Sequence, residues 1–139
     1  MTDNLAPERR SHAMRAVKAR NTSPELIVRA MLCEIGARGY RLHRKELPGK
    51  PDITFIGRRK AIFVHGCFWH GHNCPRGNRK PKTNSAYWAE KIARNRARDS
   101  EHFAALSGDG WKCLVLWECE LREPEGLRLR LTRFVKTEQ

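Results

Sequence analysis

Between residues 66 and 83 the chain carries Gly, Pro, Asn and Lys with little apolar periodicity, so the stretch reads as one long loop. A loop of that length inside a compact domain is uncommon unless something organises it. Its first part contains a candidate organiser. His65-Gly66-Cys67-Phe68-Trp69-His70-Gly71-His72-Asn73-Cys74 holds three imidazoles, two thiols and two adjacent aromatics within ten residues. Packing alone has no need of that mixture. It offers borderline-soft ligands for a metal ion, titratable nitrogens for proton transfer, and flat apolar side chains that could enter a base stack.

The segments around the loop predict an α/β domain. Thr22-Ser23-Pro24-Glu25 reads as a helix start, with a capping hydroxyl, Pro in the first turn and Glu25 three residues after Thr22. Leu26, Ile27, Ala30, Met31 and Cys33 follow at roughly helical spacing, and Gly36 or Gly39 ends the helix. Cys33 falls on the apolar side and is expected to be buried. Tyr40-Arg41-Leu42-His43 alternates like a short strand. Asp52–Ile56 and Ala61–His65 flank a Gly57-Arg58-Arg59-Lys60 turn and predict a hairpin. Asn84 or Ser85 can cap the next helix, on which Trp88, Ile92, Asn95, Asp99, Phe103 and Leu106 recur at spacings of three and four. Trp111–Trp117 is nearly apolar throughout and is expected to be a central strand. A last helix carries Leu127, Leu131, Phe134 and Val135.

At 139 residues the chain reads as a single domain, 1–139, with a basic arm or short helix over 1–20. That arm is either a solvated terminus or a segment that orders on DNA. Lys and Arg number 28 against 15 acidic residues, leaving a formal charge of +13 and a pI near 10.2. Such an excess favours a polyanionic partner, because each phosphate neutralised releases condensed counterions. A basic scaffold protein shares that feature, so charge speaks for nucleic acid and not for catalysis. The N-terminus has no basic segment followed by an apolar run, and no stretch approaches the ~18 apolar residues that span a bilayer. No membrane is expected, and the cytoplasm is the expected compartment. Five cysteines, an odd count, argue against a disulfide framework.

Two metal sites are expected. Cys67, His72 and Cys74 give three zinc-competent ligands, and Cys119, just past the apolar strand, is the best candidate for the fourth. Four protein ligands leave no open position, which makes that site structural. Asp52 follows Pro51 at a strand start, and a hairpin would bring it near Val64 and His65. A carboxylate beside a strand-end carbonyl suits a hard cation such as Mg²⁺. His65 or His70 could then act as general base or deliver a proton to the leaving oxygen. Glu25, for its part, can serve as a helix-start carboxylate with no further role.

Pro51-Asp52, the run from Phe63 to His70, His72, Cys74 and Trp117-Glu118-Cys119 resemble the very short patch repair (Vsr) endonucleases. Met14-Arg15-Ala16, Leu47-Pro48-Gly49 and Trp88-x2-Lys91-Ile92 agree independently, so the resemblance covers roughly residues 8 to 135. It implies a restriction-endonuclease-like fold, a central mixed β-sheet flanked by α-helices with a structural zinc loop. By that resemblance Asp52 and the Val64 backbone carbonyl would bind Mg²⁺. His70 would be the general base, Glu25 would orient it, and His65 would stabilise charge at the scissile phosphate. Cys67, His72, Cys74 and Cys119 would hold Zn²⁺. Phe68, Trp69 and Trp88 would enter the DNA stack, Lys91 and Asn95 would contact the mismatched bases, and Met14 would belong to the DNA-binding surface. Some relatives have Thr at the position of Val64 and histidines at those of Gly71 and Asn73.

The implied activity is a Mg²⁺-dependent, strand-specific endonuclease that nicks 5′ of the thymine in a T:G mismatch left by deamination of 5-methylcytosine. A monomer on duplex DNA, in a bacterial cytoplasm at the nucleoid, is the expected state. Coupling to mismatch-repair proteins is expected by family analogy alone. Two other readings stand beside it: a restriction-type endonuclease acting on matched DNA, and a zinc-stabilised DNA-binding protein without catalysis.

Overall fold

The computed structural model describes residues 23–75, 77–78 and 83–136. The basic segment 1–20, Met14 and the capping Thr22 lie outside these residues. Helix α1 (Ser23–Glu34) places Pro24 in the first turn, where its missing N–H is not needed. It buries Val28, Met31 and Leu32. Cys33 is exposed, contrary to the expectation from its spacing. One residue beyond Leu32 rotates a side chain by about 100°, enough to leave the buried stripe. Gly36, at φ 78, ends the helix, and Ala37 N–H closes on Leu32 O at 2.9 Å.

Four strands follow: β1 (Arg41–Leu42), β2 (Ile53–Phe55), β3 (Lys60–His65) and β4 (Lys112–Trp117). Between β3 and β4 runs α2 (Ser85–Gly108), and a 3₁₀ turn (Glu118–Arg122) leads into α3 (Pro124–Lys136). The sheet order is β1-β2-β3-β4. The pairs β1/β2 and β2/β3 are antiparallel and β3/β4 is parallel, so the sheet is mixed, as expected.

Alternation along the strands divides the core in two. On one face Ile53, Phe55, Ile62 and Leu116 meet α1 and α3 through Val28, Leu32, Leu127 and Leu131. On the other, Ala61 and Phe63 meet Leu106 of α2, with Phe103, Cys113 and Val115 against them. The apolar strand β4 is not central. It lies at the end of the sheet order, and most of its residues are only partly buried. Its composition reflects parallel pairing with cover on both faces, which requires apolar side chains on both sides even at an edge. The interior strands are β2, buried throughout, and β3, buried at every residue but Val64.

Two local departures follow from packing. Lys60, expected in the turn, is the first residue of β3 and is 2% exposed. Its ammonium donates to the carbonyls of Phe134 (2.6 Å) and Val135 (3.2 Å), capping the C-terminal end of α3. Asn84 stands at the N-cap of α2 but with φ 56 and no side-chain cap bond. The stripe on α2 also differs from a core stripe: of its buried residues only Leu106 is found. Ile92, Asn95, Asp99 and Phe103 are half-buried, and the last three wall a cleft.

Candidate active site and metal centre

The C-terminal ends of β3 and β4 lie side by side, with His65 paired to Trp117. The chain leaves both ends into the segments that carry the cysteines. After His65 the loop closes a helical-type turn, His70 N–H to Gly66 O at 3.3 Å and His72 N–H to Cys67 O at 3.0 Å. The ligand atoms of Cys67, His72, Cys74 and Cys119 then lie within 4.8 Å of one another. Cys119 comes from the 3₁₀ turn, and its Sγ stands 3.6 Å from His72 Nδ1. Backbone N–H groups already point at two sulfurs: Cys119 N–H to Cys67 Sγ and Gly77 N–H to Cys74 Sγ, each 3.3 Å.

The donor set fits a metal ion. Burial, with the neighbouring Cys74 and Cys119 thiols, pushes the Cys67 thiol up to about 12 against the opposing Cys119 N–H. Only a cation would keep so buried a sulfur as thiolate at neutral pH. The Trp117 ring stacks on His72, 4.1 Å between centroids and 12° between planes, which fixes the imidazole's orientation. Gly71 has φ 62, and a Cβ there would meet Ile92 Cγ2 and Arg96 Cδ at 2.8 Å. Glycine thereby lets the loop press onto α2.

A cleft of about 260 Å³ opens beside this cluster, lined among others by Asp52, Val64, His65, His70 and Asp99. The hairpin places Asp52 beside the end of β3 as expected, and Val64 N–H donates to Asp52 Oδ2 at 2.7 Å. Burial raises the Asp52 carboxyl to about 6, with the Val64 N–H opposing and Glu25 reinforcing the shift. His65 and His70 stack with centroids 3.7 Å apart and planes 4° apart. Burial, then the facing His70, lower His65 to about 4, with Asp99 opposing. His65 is therefore a neutral imidazole at neutral pH. Its buried Nδ1 has no hydrogen-bond partner among the described residues.

The carboxylates are distributed differently from the expectation. His70 Nδ1 is held by Asp99 Oδ2 at 2.6 Å. The Glu25 carboxylate meets His43 Nε2 instead, at 2.9 Å to Oε1 and 2.8 Å to Oε2. Asp99 and His43 are the residues that sequence reasoning passed over. A signal for Asp99 existed: it lies four residues after Asn95 on a helical stripe of mostly apolar residues, and a carboxylate there calls for a partner. His43 is legible only from strand register, which sets it opposite Asp52 through its N–H to Asp52 O at 3.1 Å.

The aromatics form one cluster. Phe68, Trp69 and Trp88 make a triangle of edge-on contacts, with centroids 5.3, 5.4 and 5.7 Å apart. Trp69 is 46% exposed. Asn95 Nδ2 donates to Trp69 O at 2.8 Å, joining α2 to the loop next to His70. The Lys91 ammonium lies 5.9 Å over the Tyr87 ring on the same part of α2. Thus the segment before β2, the end of β3, the loop and α2 converge on one cleft.

A mixed sheet whose cleft is lined by imidazoles and carboxylates suits metal-assisted hydrolysis, and comparison with known proteins identifies the class. Residues 2–76 match the family described as DNA mismatch endonuclease Vsr. The chain is 53% identical over 131 residues to the Type II nicking enzyme V.XorIIP of Xanthomonas oryzae pv. oryzae, covering 94% of this chain and 95% of that one. It is 41% identical over 136 residues to the Type II nicking enzyme V.NmeAIP of Neisseria meningitidis, covering 98% and 96%. With the DNA mismatch endonuclease Vsr of Escherichia coli it shares 40% identity over 118 residues, covering 85% and 74%. The chain belongs to the Vsr family of DNA endonucleases. It is therefore a hydrolase of restriction-endonuclease-like fold that acts on DNA, and the reading as a binding protein without catalysis is set aside. Among the described residues no helix is long and apolar enough to cross a membrane.

Proposed function

We propose that this endonuclease nicks one strand of duplex DNA on the 5′ side of the thymine in a T:G mismatch, using Mg²⁺ in the cleft and Zn²⁺ in the loop. The observation that carries the reading is the convergence of the His70–Asp99 pair and Asp52 on one cleft beside an exposed Trp69. Relatives named as nicking enzymes support a cut in one strand.

Each residue has a chemical task. Asp99 holds His70 Nδ1, which fixes the tautomer and leaves Nε2 to take a proton from the attacking water. His65, neutral and buried against it, offers an N–H hydrogen bond to a phosphoryl oxygen without adding a second charge. Asp52 would hold Mg²⁺. The N–H and C=O of one strand residue face the same edge, so Val64, whose N–H meets Asp52, turns its carbonyl toward that edge as well. When bound, Mg²⁺ supplies a Lewis acid for the phosphoryl oxygen and the leaving group. Glu25, 1% exposed and on the Asp52 side of the cleft, supports the cation side and not His70.

Zinc suits the loop because its bonds of ~2.0–2.1 Å to nitrogen and ~2.3 Å to sulfur give a tetrahedral N···S edge of roughly 3.6 Å. The Cys119–His72 separation is 3.6 Å. With four protein ligands the ion is scaffold. Phe68 and Trp69, with Trp88 packed against both, would wedge into the stack. Unstacking costs a few kcal/mol per step and costs less where pairing is already weakened, so the same wedge selects the mismatch. Lys91 and Asn95 reach the bases from α2. A monomer suffices for one nick, in a bacterial cytoplasm at the nucleoid, with mismatch-repair proteins as further partners.

The test is cleavage of paired duplexes that differ only in T:G or T:A, with Mg²⁺. One nick 5′ of the thymine in the T:G duplex, and an intact T:A duplex, is expected. Equal double-strand cutting of the matched duplex would make the enzyme a restriction-type endonuclease. Retained nicking by Asp52→Ala would remove Asp52 from the catalytic site.

A further inference from the structure

Glu25, His43 and Asp52 are brought together from three separate elements: the first turn of α1, the residue after β1, and the residue before β2. Their ligand atoms lie within 4.8 Å of one another. Antiparallel pairing of Leu42 with Ile53 continues one step, setting His43 opposite Asp52. His43 has φ 50. For a residue with a Cβ the left-handed region is sparsely used and costs free energy, and such conformations concentrate at functional sites. Here the ring Nε2 lies 2.9 and 2.8 Å from the two Glu25 oxygens, so it faces the carboxylate pair centrally.

We propose that His43 is a direct ligand of the cleft's divalent cation, making with Glu25 and Asp52 a carboxylate–imidazole–carboxylate site that prefers a transition-metal dication to Mg²⁺. The proposal rests on the reading of Asp52 as a cation ligand and specifies what else holds the ion. Cis ligands of a six-coordinate ion at ~2.1 Å lie about 3 Å apart; His43 Nε2 already has that spacing from Glu25, and the Asp52 oxygen lies within 4.8 Å of both. Without the ion, the Nε2–H donates to Glu25; with it, the proton resides on Nδ1 and the Nε2 lone pair faces the cation. An imidazole nitrogen discriminates between metals. Mg²⁺ is bound through oxygen and dehydrates reluctantly, whereas affinity at mixed N/O sites rises along the first transition row from Mn²⁺. A merely structural His43, clamping α1 to the sheet through Glu25, would show no such discrimination.

The experiment uses the full chain holding one zinc ion, with MnCl₂ and MgCl₂ as probes. Asn tolerates the left-handed backbone, so His43→Asn keeps the local conformation and removes the nitrogen. His43→Gln is the second variant, and circular dichroism checks both folds. Free Mn²⁺ is followed by its electron paramagnetic resonance signal, and bound Mn²⁺ by spin-echo modulation from a ligating ¹⁴N. The wild type should show ¹⁴N modulation, and the variants should lose it with Mn²⁺ affinity down about tenfold and Mg²⁺ affinity changed less than about twofold. Mn²⁺-loaded wild type without ¹⁴N modulation overturns the proposal with no variant needed. Modulation retained in either folded variant, or equal loss for both cations, also overturns it. Asp52→Asn separates the two readings. If it abolishes cation binding while the His43 variants bind as wild type, His43 is not a ligand and Asp52 stands. If it binds Mn²⁺ as wild type, both readings fall.

Discussion

The rings of His65 and His70 lie face to face, 3.7 Å between centroids, and Asp99 holds the outer edge of the pair through His70 Nδ1 at 2.6 Å. Because burial keeps His65 neutral down to about 4, a proton arriving on His70 meets no second charge across the stack. Asp99 faces that proton from the other side. Replacing the carboxylate by an amide, Asp99→Asn, should lower kcat by about 100-fold with the KM for DNA changed by about twofold. Single-turnover nicking measures the loss. A kcat within about twofold of wild type would exclude Asp99 from orienting the base.

Asp52 links the cleft to pH. Its folded carboxyl titrates near 6 and its unfolded one near 3.8. Its contribution to stability is therefore fully present below 3.8 and is lost as pH rises through about 6. In zinc-containing buffer without Mg²⁺, Asp52→Asn should be more stable than wild type at pH 7.5 by on the order of 2 kcal/mol. The difference should shrink toward pH 5. Adding MgCl₂ should raise the unfolding midpoint of the wild type and not that of the variant. Parallel curves for the two proteins across this range would show that Asp52 is not strained by burial.

Cys119→Ser removes a ligand contributed from outside the loop. The protein should lose zinc on dialysis and lose on the order of 3 kcal/mol of stability, since binding energy at a structural site is folding energy. Elemental analysis and thermal unfolding check this together. One zinc per chain retained by the variant would assign the fourth ligand elsewhere.

The aromatic triangle predicts a separation of discrimination from folding. Phe68→Ala with Trp69→Ala should reduce the preference for T:G over T:A by about tenfold, because the wedge acts where unstacking is already cheapest. Both side chains are partly exposed, so the unfolding midpoint should move by only a few degrees. Unchanged discrimination would leave the triangle as local packing.

Much of the domain is legible in the chain because its signals are local. The hairpin of β2 and β3 follows from two β-rich runs around a glycine turn, and α3 from its spaced leucines. The four residues of the loop cluster are legible from residue type and from the strand end that Cys119 follows, and the fold brings their donor atoms within 4.8 Å of one another. Local signals failed where a third element decided the outcome. An apolar run cannot say whether its strand is central or at the edge, since cover on both faces demands the same composition, and β4 proved to be the edge. Lys60 reads as turn, yet it is buried because the end of α3 presents carbonyls to its ammonium.

Residue type and periods of two and 3.6 along the chain carry the α/β class, the residue kinds competent to hold a metal and the segment that contains most of them. Tertiary structure decided which carboxylate serves which imidazole. Glu25, His43, Asp52, His70 and Asp99 come from α1, the residue after β1, the residue before β2, the loop and α2, and their pairing depends on register and helix placement. Hydrogen bonds act over about 3 Å. No pattern along the chain resolves that distance, and only the packed sheet sets Asp99 on His70 and His43 on Glu25.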